Sequence, residues 1–201
     1  MKSMGIVLFL AAYIAVGQSS QATQAAAPAA AAASASSDAA QLEALVKQQF
    51  GATFTLAGKF SPLVADFDGD GVEDLALVAN SKDPLPDSFS FKYQVADPYN
   101  AYFGMGNPRF TAGFHSDPDH NHDLLVIFGN GKESWHAATP KAKFVLINVP
   151  FDSVEIGRML VSKKKPPIFM IKALEARIMD SAIWWDAKKK RWKWEPGDTV
   201  Q

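Results

Sequence analysis

Asp66-Phe-Asp68-Gly-Asp70-Gly71-Val72-Glu-Asp74 sets four carboxylates at positions 1, 3, 5 and 9 of a nine-residue stretch, with glycine at position 6. Like charges held that close repel one another, so folding alone does not favour the pattern. A hard divalent cation reverses the balance, because Ca²⁺ takes six to eight oxygen ligands at about 2.3–2.6 Å. The chemistry expected of Asp66, Asp68, Asp70 and Asp74 is therefore cation binding, with Ca²⁺ as the ion. An EF-hand would need a bidentate glutamate at position 12, where Leu77 stands. Asp74 must close the ion shell instead.

A second, altered copy of the pattern follows 49 residues later, where Asp123-Leu-Leu-Val-Ile superposes on Asp74-Leu-Ala-Leu-Val. His115, Asp117, Asp119 and Asp123 then fall on the four carboxylates, and His120 takes the place of Gly71. Losing that glycine removes the residue that permits the sharp turn, which weakens the case for Ca²⁺ there. All four histidines, His115, His120, His122 and His136, lie in this region. Imidazole with carboxylate suits Zn²⁺, Ni²⁺ or Cu²⁺ better than Ca²⁺. His115, Asp117, Asp119, His120, His122 and Asp123 thus form a second candidate site, for a transition metal, although their spacing matches no specific zinc pattern.

Other catalytic signals are weak. There is no cysteine, no G-x-S-x-G, no P-loop and no H-E-x-x-H. Ser116, His115 and Asp117 are adjacent, which is not a triad geometry. The remaining concentration is aromatic: Trp184, Trp185, Trp192 and Trp194, with Lys188, Lys189, Lys190 and Arg191 between them. On a hairpin, Trp192 and Trp194 face one way, and one of Trp184 or Trp185 can pair across. Such a platform is a candidate partner surface, able to stack a sugar or a base. The competing reading puts one face in the core and a Trp–Lys cation–π contact on the other.

The elements that must position these groups follow from composition and periodicity. Residues 1–22 read as a signal peptide. Lys2 precedes an eleven-residue apolar run, too short for the roughly 20 helical residues that span a bilayer, and Ser20-Gln21-Ala22 offers a small-x-small cleavage site. Residues 23–37 are Ala-rich and read as a flexible linker, although alanine also favours helix. Residues 38–201 read as a single domain. It has no disulfide to stiffen it, a role a bound ion can fill. Formal charge is near balance at −1 but unevenly spread: residues 43–140 carry 13 acidic and 6 basic groups, and 141–201 carry 7 and 13.

Ser37 or Asp38 is a cap for a helix through Leu42, Leu45, Val46 and Phe50, which Gly51 ends. Short strands are expected near 53–56, 62–65, 75–79, 124–128, 144–149 and 168–171, and 174–179 reads as strand with helix as its alternative. A terminal hairpin is expected over 182–195. Phe89, Phe91 and Tyr93 alternate as a further strand would. The rest of the aromatic segment to Phe114 reads as a cover over the core, or else as a ligand surface. The expected fold is β-rich α+β: an N-terminal helix followed by a mostly antiparallel sheet of six or seven short strands.

The stretch from Asp66 to Val78 resembles the calcium loop of FG-GAP or VCBS-type repeats, found in integrin-like β-propellers and many exported bacterial proteins. The resemblance covers about 14 residues and matches all four acidic positions and Gly71. It implies a strand–loop–strand unit with a structural Ca²⁺ held by Asp66, Asp68, Asp70, Asp74 and the Val72 carbonyl. The Gly-Ala-Pro element that follows the strand in that family is replaced by Asn80-Ser81. Two such loops in about 160 residues cannot make a propeller of at least four blades. The mature region is also similar to small uncharacterised exported bacterial proteins with one such loop and a Trp-rich hairpin.

Taken together, the residues point to an exported protein, periplasmic or secreted. It is expected to be a non-enzymatic, Ca²⁺-stabilised binding or structural domain. Its partner is expected to be an envelope or extracellular protein or glycan, with no nucleic acid and no stable membrane span once the signal is cleaved. The alternative is a metal-dependent hydrolase using residues 115–136.

Overall fold

The computed structural model describes residues 27–107, 109, 122–162, 166–176 and 179–197. The signal peptide read over 1–22 lies outside them. Contacts divide the chain into two units, Met1–Ser37 and Asp38–Gln201, and all the strands belong to the second.

The protein is α+β and strand-rich. Helix α1 (Ala27–Phe50) is followed by β1 (Thr55–Leu56), β2 (Leu63–Ala65), β3 (Asp74–Asn80), α2 (Ser88–Phe91), β4 (Gln94–Ala96), α3 (Pro98–Tyr102) and β5 (Asp123–Phe128). Two 3-10 turns (Gly131–His136) lead to β6 (Ala142–Leu146), β7 (Ser153–Met159), β8 (Ile168–Glu175), β9 (Met179–Asp186) and β10 (Arg191–Pro196). The strands form two sheets, not one. The first runs β1-β3-β5-β6-β4 with β2 also on β3, antiparallel except for β4 beside β6. The second is the antiparallel meander β10-β9-β8-β7. Neither sheet is a closed barrel or a propeller blade ring. Among the described residues, no helix is long and apolar enough to cross a membrane.

The layering explains the apolar runs. Successive side chains of a strand point to opposite faces. Leu75, Leu77 and Ala79 of β3 and Leu125 and Ile127 of β5 pack with Val46 and Phe50 of α1 and with Phe54 and Tyr93. Ala76, Val78, Leu124, Val126 and Phe128 face the other way, into a core shared with Ile171, Ile183, Trp192 and Trp194 of the second sheet. The first sheet is thus buried on both faces, which is why β3 and β5 read as continuous apolar segments rather than alternating ones. Each large side chain so buried stabilises the fold by about 1.5–3 kcal/mol. Lys143 closes one end of the first layer: its Nζ donates to the Gln49 carbonyl at 2.6 Å, in the last turn of α1, where a cation is favoured.

Several expected elements differ. The helix starts at Ala27, within the Ala-rich segment, rather than at a Ser37 or Asp38 cap, because alanine propagates helix readily. Phe89, Phe91 and Tyr93 do not form a strand. Ser88–Phe91 is one helical turn closed by Lys92 at φ +55°, and Phe89 is 92% exposed. β7 carries Glu155 and Arg158 on a sheet edge, where charged side chains protect against edge-to-edge pairing.

Candidate metal centre

The acidic loop joins β2 to β3, which pair antiparallel with Ala65 opposite Asp74. It is a tight connection held by its own carboxylates. Asp66 Oδ1 accepts the N–H groups of Gly69 at 2.8 Å and Asp70 at 3.0 Å, and Oδ2 accepts that of Gly71 at 2.8 Å. Gly71 lies at φ +87°, a left-handed conformation that L side chains rarely adopt, so glycine is what lets its N–H turn inward. Asp70 Oδ1 takes the Val72 N–H at 2.9 Å.

Asp74 anchors the whole. It is buried, and its Oδ2 accepts from Phe67 N at 2.8 Å and Asp68 N at 3.3 Å. Its Oδ1 accepts from Gly129 N at 2.8 Å, across to the end of β5. Burial pushes the Asp74 carboxyl up to about 7; the three N–H donors work against that shift and the nearby Asp68 charge adds to it. Gly129 is there for lack of room. A Cβ at that position would stand 2.3 Å from the Glu73 carbonyl oxygen and 2.8 Å from Val72.

One carboxylate oxygen each from Asp66, Asp68 and Asp74 converge, all within 4.8 Å of one another. Hard oxygen donors at that spacing fit a hard cation such as Ca²⁺. Asp70, the fourth expected ligand, is turned differently. Its Oδ2 receives the Lys141 ammonium at 2.6 Å, and the same ammonium reaches Asp68 Oδ2 at 2.6 Å. Desolvation acts to raise Asp70, but the Lys141 hydrogen bond, the Val72 N–H and the Lys141 charge outweigh it and hold the group below its ordinary value. Lys141 in turn is raised above its usual range, first by its hydrogen bond to Asp68 and then by that to Asp70. The sequence reading missed Lys141, which sits just before β6 and 73 residues from Asp68.

Of the second candidate site, His115, Asp117, Asp119 and His120 lie outside the described residues. The repeat does not bring its two halves together. β3 and β5 are antiparallel neighbours with Ala79 opposite Asp123, so Asp74 and Asp123 start their strands at opposite ends of the pair. Asp123 is buried, accepts the Ser81 hydroxyl at 2.6 Å and is pushed up to about 7 by burial. His122 Nδ1 meets Asn80 Oδ1 at 2.5 Å and packs between Phe60 and Phe151; burial lowers its pKa, and the Lys59 charge adds to that. His136 stacks on Trp135 beyond the far end of β5. Neither His122 nor Asp123 belongs to a metal-binding group among the described residues.

The four tryptophans do not make an open platform. Trp192 and Trp194 share a face, as expected of a strand, but that face is core, with 2% and 8% exposure. Trp185 pairs with Trp192 in register and packs on Phe128 and Phe144. Trp194 is covered by Tyr99, Tyr102 and Phe103 of the α3 segment. Trp184 points to the outer face, where Lys193 Nζ lies 4.4 Å from its ring. The aromatic segment up to Phe103 therefore acts as a cover; Phe110 and Phe114 lie outside the described residues.

A cavity of about 540 Å³ is lined by Leu42, Leu45, Leu75, Trp135 and His136 among others, and by no acid of the 66–74 loop. No protein-family model, curated protein or solved structure matches this chain.

Proposed function

We propose that the 66–74 loop binds one Ca²⁺ through Asp66, Asp68 and Asp74, and that the ion is a structural staple in an exported, non-enzymatic binding or structural domain of the cell envelope or its surroundings. The observation that carries this reading is the convergence of three carboxylate oxygens within 4.8 Å. A structural role is favoured because Asp66 and Asp74 already hold backbone N–H groups on both sides of the loop, so an ion between them ties β2, β3 and the end of β5 together. Ligand binding to the folded state alone adds about 2.7 kcal/mol when the ligand stands at 100 times its dissociation constant. In a domain of this size that is about 5–10 °C in midpoint.

Thermal unfolding of wild type and Asp68→Ala, each with Ca²⁺ and with chelator, tests the proposal. Ca²⁺ is expected to raise the wild-type midpoint by that amount and to leave Asp68→Ala unmoved. An unchanged midpoint across all four conditions overturns it.

Lys141 competes with the ion for Asp68. In Lys141→Met, two carboxylates lose their counter-charge, so the metal-free protein should lose about 0.5–1 kcal/mol of stability for a half-exposed pair. Calcium affinity should rise about tenfold with a like charge removed. Urea unfolding in chelator checks the first sign, and calorimetric titration of the two proteins with Ca²⁺ checks the second.

A further inference from the structure

A second charged feature lies away from the acidic loop. Gln94 on β4, Arg109, and Lys188, Lys189 and Lys190 in the β9–β10 turn line one concavity of about 450 Å³. Three separate stretches of chain and both sheets contribute to it. No carboxylate among the described residues lines it. Among the described residues, none of its four cations takes part in an ion pair. Arg191, next in sequence, keeps a buried Nε that no acceptor meets there either. The nearest acid in the turn, Asp186, is engaged by the backbone: its Oδ1 accepts the Lys189 N–H at 3.0 Å and its carbonyl accepts it at 3.1 Å.

The turn is therefore built, and built around lysines. Lys190 lies at φ +49°, a position where glycine or asparagine is easier to place. Its occupation by lysine adds a third like charge to the same concavity. An anion bound there relieves the repulsion. Arginine's planar fork matches phosphate oxygens two at a time, and lysines add mobile point charges around it. The volume exceeds that of a single phosphate and falls in the range of small-molecule sites.

We propose that Gln94, Arg109, Lys188, Lys189 and Lys190 form a binding site for a phosphate-bearing polyanion. The site is independent of the calcium loop. The phosphate groups can belong to a soluble chain or to lipid headgroups, and the chemistry is the same for both.

Calorimetric titration with sodium tripolyphosphate, in calcium-free buffer at about 0.15 M ionic strength, tests the site on the full chain. The expected result is one tripolyphosphate per chain, weakened at least tenfold in the double variant Arg109→Gln, Lys189→Gln and unchanged in Lys132→Gln, which removes a charge elsewhere. Co-sedimentation with phosphatidylcholine vesicles, with and without phosphatidylglycerol, separates the sources. Vesicle binding that needs the anionic lipid and is lost in the double variant assigns the phosphate to headgroups. Tripolyphosphate binding without vesicle binding assigns it to a soluble polyanion. Absence of tripolyphosphate binding, or equal weakening in Lys132→Gln, overturns the proposal.

Discussion

Asp74→Ala is expected to destabilise the protein by about 3 kcal/mol, the largest effect of any single loop substitution. The carboxylate accepts three backbone N–H groups, from Phe67, Asp68 and Gly129, in a buried setting. Leaving a buried donor without an acceptor costs about 1–3 kcal/mol. Desolvation of the charge, which pushes the Asp74 carboxyl up to about 7, offsets part of that loss, so the sum stays near the value for one or two donors. In a domain of this size the midpoint should drop by about 6–12 °C. Urea unfolding in chelator measures the effect with no contribution from the ion. A change below about 0.5 kcal/mol, the range of ordinary surface substitutions, would show that Asp74 does not anchor the loop.

Gly129→Ala is expected to cost a similar amount for a steric reason. The added Cβ would meet the Glu73 carbonyl oxygen at 2.3 Å and a Ser134 backbone carbon at 2.9 Å. Both are backbone, so relief requires the end of β5 to move away from the loop. Moving it breaks the Gly129 N–H bond to Asp74. Overpacking of this kind costs about 1–3 kcal/mol, to which the lost buried hydrogen bond adds. The variant should also bind Ca²⁺ more weakly, because Asp74 loses the contact that fixes its Oδ1. Denaturant unfolding and calcium titration on the same preparation test the two consequences together. Stability near wild type would mean that the loop and β5 are not clamped at this point.

The parts of the structure that were legible in the sequence are those whose signal is local. The nine-residue acidic loop, the apolar strands on either side of its repeat, the glycine that ends α1 and the terminal hairpin each announce themselves within about ten residues. β3 and β5 were readable because burial on both faces leaves an unbroken apolar run after the aspartate that starts each strand. What escaped depends on distant partners. Lys141 meets Asp68 across 73 residues, and Gly129 meets Asp74 across 55; no spacing rule connects them. The alternation of Phe89, Phe91 and Tyr93 fits a strand equally well, yet one helical turn there places Phe91 against Gly51 and Tyr93 against Phe50 and Phe54. The tryptophans were visible as a cluster, but their burial depended on a second sheet that the sequence pattern did not separate from the first.

The repeat also changes meaning once the strands are paired. Tandem copies suggest neighbouring sites. The antiparallel pairing of β3 with β5 sends the two initial aspartates to opposite ends. Only the first forms part of a convergent carboxylate group among the described residues.

Direct titration of chelator-stripped protein with CaCl₂, followed by calorimetry, tests the central claim most simply. The account predicts one Ca²⁺ per chain, with binding lost in Asp68→Ala. No binding by wild type at concentrations up to about 10 mM, beyond the weakest range of extracellular calcium modules, would contradict it.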